Sequence, residues 1–398
     1  MKKILFVINT LGQAGAETAL MALLNRLDPA QYEVSLYVLT GQGEMRTALP
    51  KYVHVLNRRY ADCSVLSAEG QKVLRKTVLR ALLARGNALR LFPYLCANGV
   101  RMLGKRRVQA DKLLWRVLSD AGERFDTAYD LAVAYLEGGS TYYVAEHVKA
   151  KKKAAFVHTD YVQAGYTRAL DRGCYDWIDS IYAVSDRVKE HFIQMYPEHA
   201  ARVEVFPNIL DIERIRRLSA EPGGFTDGYT GTRILSVGRL ITPKAFEVSI
   251  DAMKLLKEHG RDVRWYVLGE GDQRKKLEEQ IKALGLTQDF ILAGAVQNPY
   301  PYFRQADLYV HASRLEGKSI AIQEAQVMGK PIITSNCSGN REQVEPGVDG
   351  LLCELTPTSI CETVETLLDD PARAKALGEQ AMHKNEQNFR MLERMLTM

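Results

Sequence analysis

The chain has 398 residues, of which 46% are hydrophobic and 25% are charged. A chain of this length is too long to fold around one hydrophobic core, and it fits two domains of roughly 200 residues. The composition is typical of a globular protein, and no run of 18 uninterrupted apolar residues predicts a transmembrane helix. The six cysteines lie far apart without a CxxC pair, which argues against a zinc site or disulfide framework and favours a reducing compartment.

The formal net charge of +5 hides a strong asymmetry. Residues 71–119 contain twelve Lys or Arg and one acid, Asp111, so this segment carries +11 and the rest of the chain −6. Apolar residues recur there at helical spacing with three cations between them: Leu74, Val78, Leu79, Leu82 and Leu83, with Arg75, Lys76 and Arg80. A basic amphipathic helix predicts an element bound to an anionic membrane surface, the alternative being an ordinary helix with a solvated basic face. No recognition motif indicates nucleic acid.

The N-terminal stretch MKKILFVINTLGQAGAE has a short apolar run that Asn9, Gly12 and Glu17 interrupt. We interpret it as a buried first strand rather than a signal peptide. Further runs of this kind follow, each succeeded by a helical pattern. The first half contains ILFVIN (4–9), VSLYVL (34–39), VHVL (53–56), LAVAYL (131–136), AAFVH (154–158), IYAVS (181–185) and VEVF (203–206).

The loops that follow these strands contain the unusual residues of the first half. Gly12, Gly15 and Glu17 form a tight loop after the first strand, which would let a ligand approach the backbone, although a plain turn also uses glycine. His158 ends a strand within the sequence HTD. A single histidine there is either structural or part of a site, because ligands bind beyond the carboxyl ends of parallel strands.

The loop 221–231, EPGGFTDGYTG, reads as a flexible junction before a second set of strands. That set comprises ILSVG (234–238), WYVLG (265–269), FILAG (290–294), LYVHAS (308–313) and IITS (332–335). Strands that alternate with helices form parallel sheets covered on both faces. The sequence therefore predicts two doubly wound α/β domains, residues 1–210 and 211–380, with the basic segment 71–119 inserted in the first.

Two cations follow the first strand of the second set, in GRLITPK (238–244). Arg239 and Lys244 could converge on one anion next to Gly238, and a diphosphate needs such compact positive charge. The alternative is a pair of solvated surface cations. No GxxxxGK[ST] or GxGxxG motif follows a strand, so neither a P-loop nor a dinucleotide site is predicted.

The stretch EGKSIAIQEAQVMGKPIITS (316–335) places two acids eight residues apart, Glu316 and Glu324, around the start of a helix. Ser319 is a suitable N-cap residue, residues 320–328 form the predicted helix, and Gly329 is a suitable C-terminal cap. The N–H groups of residues 318–320 would then face phosphate or sugar oxygens. The acids could simply complement the helix dipole, but a buried Glu324 needs a partner, which sugar hydroxyls would provide.

Together these stretches resemble the retaining glycosyltransferases of family 4, which have the GT-B fold of two Rossmann-like domains facing a cleft. The E-x7-E motif of that family matches Glu316 and Glu324, and its GRL…K motif matches Gly238, Arg239 and Lys244. AGAE (14–17), FPNILD (206–211), YLEGGS (135–140), HTD (158–160) and NPYPYFRQADLYVHASRLEGKS (298–319) are similar to further segments of enzymes that build surface polysaccharides. In this order and spacing, the resemblance spans residues 2 to about 355.

The resemblance implies a role for each matching residue. Glu324 would hold a nucleotide ribose. Glu316, together with the backbone near Ser319 and Ile320, would hold the donor sugar. Arg239 and Lys244 would bind the diphosphate. Ala295 and Val296 would meet the base, for which uracil is favoured over guanine. Gly15 would let the N-terminal domain close on the phosphates or acceptor, and His158 would lie at the reacting centre. The catalytic group would thus comprise His158, Glu316, Arg239 and Lys244.

The implied reaction moves a sugar from a nucleotide-diphosphate sugar to a glycan or lipid-linked acceptor, with its anomeric configuration kept. It implies no metal and no other cofactor, a cytoplasmic protein at the inner face of the membrane, and a C-terminal helix (381–398) that packs on the N-terminal domain. The sequence departs from the pattern at Ala14 and Ala245, where many members have glycine. Two alternatives remain: a nucleotide-sugar epimerase of the same fold and a non-catalytic GT-B subunit that binds a partner.

Overall fold

The computed structural model describes residues 1–104, 110–384 and 389–398, and the chain divides into two compact units. The first unit comprises Met1–Ile209 together with Asn388–Met398, and the second comprises Leu210–Gln387. The predicted boundary after residue 210 thus lies one residue beyond the observed one. Of the basic segment, residues 105–109 lie outside the described residues.

The first unit contains one parallel sheet of seven strands in the order β3-β2-β1-β4-β5-β6-β7. The strands are Lys2–Ile8 (β1), Tyr32–Val38 (β2), His54–Val55 (β3), Tyr129–Ala134 (β4), Ala150–Val157 (β5), Ser180–Ala183 (β6) and Val203–Val205 (β7). The helices are Gly15–Leu24 (α1), Ala68–Leu83 (α2), Asn87–Gly104 (α3), Ala110–Ala121 (α4), Gly139–His147 (α5), Tyr161–Ala164 (α6), Arg168–Asp171 (α7) and Asp186–Met195 (α8). Residues 4–8 of β1 are fully buried because helices cover both faces of the sheet.

The second unit has a parallel sheet of six strands in the order β10-β9-β8-β11-β12-β13. Its strands are Thr232–Val237 (β8), Val263–Leu268 (β9), Phe290–Gly294 (β10), Leu308–His311 (β11), Ile332–Ser335 (β12) and Leu351–Cys353 (β13). Its helices are Ile212–Ser219 (α9), Phe246–Glu258 (α10), Arg274–Ala283 (α11), Tyr300–Gln305 (α12), Ile320–Val327 (α13), Ser338–Arg341 (α14), Pro357–Asp369 (α15) and Pro371–His383 (α16). All twelve predicted strands are present, and β13 is the strand that the sequence analysis missed.

Short 3-10 turns complete both units, at Glu44–Ala48, Ala84–Gly86, Cys174–Trp177, Pro197–Arg202 and Thr242–Lys244. The two parallel sheets confirm the predicted fold class, a pair of doubly wound Rossmann-like units. In each sheet the strand order reverses at one place, between β1 and β4 in the first unit and between β8 and β11 in the second. Loops diverge at such a reversal and leave a crevice at the carboxyl ends of the strands, where α/β proteins bind ligands.

The last helix, Arg390–Leu396 (α17), returns the chain to the first unit. Leu396 accepts a hydrogen bond on its carbonyl from Lys2 Nζ (2.6 Å), and Arg394 pairs with Glu204 at 2.6 Å. Met395 is fully buried. The predicted C-terminal helix 381–398 is not continuous, because its first residues end α16 in the second unit. Among the described residues, no helix is both long and apolar enough to cross a membrane.

We expect Met395→Ala to destabilise the first unit by about 2–5 kcal/mol, because the substitution opens a cavity where α17 packs. Chemical denaturation followed by near-ultraviolet circular dichroism measures the loss. The control is Glu393→Ala on the exposed side of the same helix, for which we expect a change within about 0.5 kcal/mol. Equal stability of the two variants would show that α17 contributes nothing to the first unit.

Candidate functional site

The strand reversal of the second unit brings together side chains from the ends of β8 and β11. Lys244 Nζ, in the 3-10 turn after β8, lies 2.5 Å from Glu316 Oε1. The same oxygen accepts a hydrogen bond from Ser313 Oγ (2.6 Å) and lies 2.8 Å from His311 Nε2. Tyr309 supports this cluster from within β11, with its hydroxyl 3.0 Å from His311 Nδ1. Lys244 and Glu316, which the sequence analysis assigned to separate parts of a donor site, are therefore in direct contact.

The charges of this cluster follow from its burial. Burial acts to raise the pKa of Glu316, but Lys244 and His311 outweigh it and hold the pKa well below its usual range. Burial and the nearby Lys244 lower the pKa of His311, so its imidazole is neutral near pH 7. The side chains of Lys244 and Glu316 are 17% and 11% exposed. An anion arriving at this edge would thus compete with Glu316 for the ammonium group of Lys244.

Arg239 is exposed directly after β8, and among the described residues its guanidinium makes no ion pair. Gly238 lies against the neighbouring lysine, since a Cβ atom placed there would be 3.5 Å from Lys244 Cδ. The loop after β9 packs on this backbone so closely that a Cβ on Gly269 would be 1.9 Å from Gly238 O. At the predicted anion site, Arg239 is thus available to a ligand at once, whereas Lys244 must first leave its carboxylate partner.

The loop after β10 continues this edge. Gly269 N donates a hydrogen bond to Gly294 O (2.8 Å), which joins the ends of β9 and β10. Ala295 is exposed and Val296 is half-buried, directly beyond that contact. The predicted base-binding residues therefore belong to the same row of loops as Gly238 and Arg239.

The start of α13 differs in part from the prediction. Ser319 is the N-cap residue, but its hydroxyl makes no capping bond, and its N–H donates to Gln343 Oε1 at 2.5 Å. Gln343 Nε2 in turn donates to Ser319 O (2.8 Å). The backbone N–H of Ser319 is therefore not available to a donor sugar, which corrects that part of the prediction. Among the described residues, the N–H of Ile320 has no protein partner, and Gly329 ends the helix with φ +62° as predicted.

Glu324 is buried in α13 with 6% exposure. Its Oε1 accepts a hydrogen bond from the hydroxyl of Tyr300 in α12 (2.9 Å). Burial raises the pKa of Glu324 to about 7, although Tyr300 and the positive charge of Arg214 act in the opposite direction. The buried acid thus has a protein partner that the sequence analysis did not identify, and near pH 7 it is only partly ionised.

The strand reversal of the first unit has its own polar network. Asn9, after β1, donates through Nδ2 to Glu137 O (3.1 Å) and accepts from Ser140 N (2.8 Å). The side chain of Glu137 accepts from the backbone N–H of His158 (2.9 Å) and from the hydroxyl of Thr159. Glu137 therefore ties the carboxyl ends of β4 and β5 together, a role that its sequence segment YLEGGS did not reveal.

His158 and Gly15 are the two predicted site residues that belong to the first unit. Burial lowers the pKa of His158 to about 4, despite the opposing effect of Glu137, so its ring is neutral near pH 7. Among the described residues, its buried Nε2 atom has no hydrogen-bond partner. Gly15 is exposed at the first position of α1. The other predicted residues lie in the second unit.

Two groups of side chains in the described chain have the spacing of metal ligands: His259 with Cys361 and Glu365, and Asp120 with Glu146 and His147. His259 precedes β9 and His147 precedes β5, so both groups lie at the amino ends of strands. An acid of each group already forms an ion pair with an arginine: Arg261 Nε is 2.8 Å from Glu365 Oε1, and Arg90 is 2.9 Å from Asp120. Neither group belongs to the candidate site.

Comparison with known proteins gives a family match for the second unit. Residues 229–384 match the family described as Glycosyl transferases group 1. The N-acetylgalactosamine-N,N'-diacetylbacillosaminyl-diphospho-undecaprenol 4-alpha-N-acetylgalactosaminyltransferase of Campylobacter jejuni is 30% identical over 194 residues, which are 48% of this chain and 51% of that protein. The alpha-D-kanosaminyltransferase of Streptomyces kanamyceticus is 30% identical over 37% of this chain and 39% of its own. The matches thus span about half or less of these curated relatives.

Solved structures extend the likeness to both units. Anabaena Alr3699/HepE in complex with UDP-glucose has a TM-score of 0.70 at 18% identity and covers 100% of this chain and 99% of its own. A glycosyltransferase from Rickettsia africae has a TM-score of 0.60 at 14% identity over 100% and 96% of the two chains. At these identities the likeness concerns the fold, and it agrees with the two Rossmann-like units of the GT-B class.

The raised pKa of Glu324 gives the second unit a specific pH dependence. The pKa is about 7 in the folded state against an ordinary value of 4.5, so stability decreases as pH rises from about 4.5 to 7. We expect Glu324→Gln, which keeps the acceptor for Tyr300, to match the wild type at pH 5 and to exceed it by about 2–4 kcal/mol at pH 8. Denaturant melts across this range measure the difference. A constant difference at all pH values would contradict the raised pKa.

Proposed function

We propose that the protein is a retaining glycosyltransferase of family 4 that transfers a sugar from a UDP-sugar to a glycan or lipid-linked acceptor in surface polysaccharide biosynthesis. The observation that carries this proposal is the arrangement of Glu316 and Glu324 around the start of α13, in opposite charge environments. Glu316 is ionised next to Lys244, whereas Glu324 is buried against the hydroxyl of Tyr300. A ligand with hydroxyls at both ends and a diphosphate between them complements this pattern.

The donor is assigned along the row of loops in the second unit. Glu324 accepts hydrogen bonds from the ribose hydroxyls, since a buried carboxylate gains most from charged hydrogen bonds. Arg239 and Lys244 bind the diphosphate, with the N–H of Ile320 at the helix start as a further donor. Glu316 holds the donor sugar. Ala295 and Val296 lie at the loop where the base would bind.

The nucleotide is assigned to UDP. Alr3699/HepE has a structure with UDP-glucose, and a pneumococcal O-GlcNAc transferase that covers 67% of this chain has one with UDP and GlcNAc. The Campylobacter jejuni relative is named for a diphospho-undecaprenol compound, and a Staphylococcus aureus relative is a capsular polysaccharide biosynthesis glycosyltransferase. These names support a lipid-linked or polysaccharide acceptor. We accordingly propose that the protein works at the inner face of a membrane.

Transfer with retention is proposed to occur on one face of the sugar. The bond between the anomeric carbon and the β-phosphate oxygen breaks, the acceptor oxygen bonds to that carbon from the same face, and the departing phosphate takes the acceptor's proton. The protein then contributes positioning and positive charge. Arg239 and Lys244 supply this charge, so the proposal includes no metal. In the first unit, Gly15 and His158 are assigned to the acceptor side, and the role of His158 at the reacting centre stays a prediction.

We expect Glu324→Gln to weaken UDP binding by on the order of tenfold or more, because a charged hydrogen bond to the ribose is lost. Glu316→Gln should keep or tighten UDP binding, because the substitution releases Lys244 for the phosphates, while turnover of the UDP-sugar falls. Isothermal titration calorimetry with UDP compares both variants, with Glu279→Gln on the exposed face of α11 as control. An equal loss of UDP affinity in both variants would show that the acids are a structural pair.

We expect Arg239→Ala and Lys244→Ala each to reduce kcat/KM by about 2–4 kcal/mol of transition-state stabilisation, on the order of 30- to 1000-fold. Release of UDP from the preferred UDP-sugar measures the rate. Arg239→Ala is the cleaner variant, because Lys244→Ala also removes the partner of a buried carboxylate. The control is Lys275→Ala, an exposed cation of α11. If either site variant keeps more than half of the wild-type kcat/KM, the diphosphate assignment is wrong.

A further inference from the structure

Large apolar side chains are exposed along one short stretch of the first unit. Of the twelve exposed large hydrophobic residues in the described chain, seven lie between residues 66 and 103. They are Leu66, Leu79, Leu83, Leu89, Phe92, Val100 and Leu103. Exposed apolar residues that share one face of an element indicate an interaction site, whereas isolated exposed residues do not.

Four of these residues form one row on α3, which we name the apolar ridge: Leu89, Phe92, Val100 and Leu103. Their spacing is that of one helix face, and the exposed Cys96 lies in the gap of the row. Their exposed fractions range from 64% for Phe92 to 86% for Leu89. Most of the surface of each of these side chains is therefore exposed.

The opposite face of α3 is fixed to the unit. Leu91 and Met102 are buried there, and Leu91 belongs to the same hydrophobic core as Val117 of α4. Tyr94 also donates a hydrogen bond from its hydroxyl to Leu170 O in α7 (3.1 Å). One face of α3 thus packs against the unit, and the apolar ridge lies on the opposite, exposed face.

The positive charge of this part of the chain, including the neighbouring helix α2, favours an anionic partner. Residues 68–104 contain seven Lys or Arg and one acid, Glu69. On α2, Arg75, Lys76 and Arg80 are exposed beside Leu79, and within the described residues none of the three forms an ion pair. A second copy of the chain would bring the same positive charge against this surface, whereas an anionic bilayer offers both opposite charge and an apolar interior.

We propose that the apolar ridge inserts into the interface of an anionic lipid bilayer, while the basic face of α2 contacts the lipid phosphates. The ridge supplies the burial of apolar surface, and Arg75, Lys76 and Arg80 supply the electrostatic attraction. This inference rests on the membrane location proposed above, but it does not depend on the reaction. Vesicle binding is measured without donor or acceptor, so its failure leaves the tests of UDP binding intact.

The experiment uses the full chain and vesicles of phosphatidylcholine with or without about a third of phosphatidylglycerol. The ridge variant combines Leu89→Ser, Phe92→Ser, Val100→Ser and Leu103→Ser. The basic variant combines Arg75→Glu, Lys76→Glu and Arg80→Glu. Its matched control, Lys275→Glu, Lys276→Glu and Lys282→Glu on α11, has the same net charge, and Val348→Ser is the apolar control. Because all substituted side chains are exposed, we expect unchanged melting temperatures.

We expect the wild type and both controls to cosediment with the anionic vesicles, with binding that weakens as salt is raised. The ridge variant should lose on the order of tenfold or more of its partition coefficient at every salt concentration, and the basic variant should lose its preference for phosphatidylglycerol. Phe92→Trp should show a blue-shifted emission that lipids brominated in their chains quench, unlike Val348→Trp.

Three results would overturn the proposal. The wild type could fail to bind anionic vesicles, or the ridge variant could bind them as tightly as the wild type. Alternatively, light scattering could show a wild-type dimer that the ridge variant converts to a monomer, without any lipid binding by either protein. That last result would assign the ridge to contact between copies.

Discussion

The candidate donor site depends on the contact between the Lys244 ammonium and the Glu316 carboxylate. A buried carboxylate requires compensation, and this one lies where β8 and β11 diverge, so its partners must come from both strand ends. Ser313 and His311 donate or lie close enough to donate to the same oxygen, which means that Glu316 does not rely on Lys244 alone. The lysine can therefore leave its partner for an incoming phosphate at a lower cost than in an isolated ion pair.

The fold was predictable because parallel strands have a strong signature. Buried apolar runs separated by helical patterns identify each strand without any knowledge of its neighbours. β13 (Leu351–Cys353) was not predicted, because it follows directly on a segment whose Gly347 and Gly350 suggest only a turn. The return of α17 to the first unit was expected from family resemblance. The end of α16 was not predicted, although His383 in its last turn is the type of residue that favours a helix C-terminus.

A site residue could be predicted only where it belongs to a short sequence motif. Glu316, Lys244 and Gly238 follow strand ends and can be located from the sequence. Gln343 could not, because it reaches Ser319 across 24 residues through a pair of side-chain hydrogen bonds. At Ala245, by contrast, the structure explains a departure from the family pattern that the sequence analysis had noted. Its φ of +49° fits the glycine that the family resemblance predicts there, and a conformational cost of about 1 kcal/mol is tolerable for alanine.

In the proposed donor complex, Glu316 before α13 and Glu324 within it would meet opposite parts of one ligand. Glu316 already has a cation, so a diphosphate would gain by drawing Lys244 toward itself while the remaining donors keep the carboxylate satisfied. Glu324 has one hydroxyl donor and, among the described residues, no cation in contact, so burial outweighs its partners and raises its pKa. Ribose hydroxyls would supply the missing donors and favour its ionised form. Nucleotide binding should then release a proton from Glu324, so that the burial of this acid stabilises the complex with the ligand rather than the free protein.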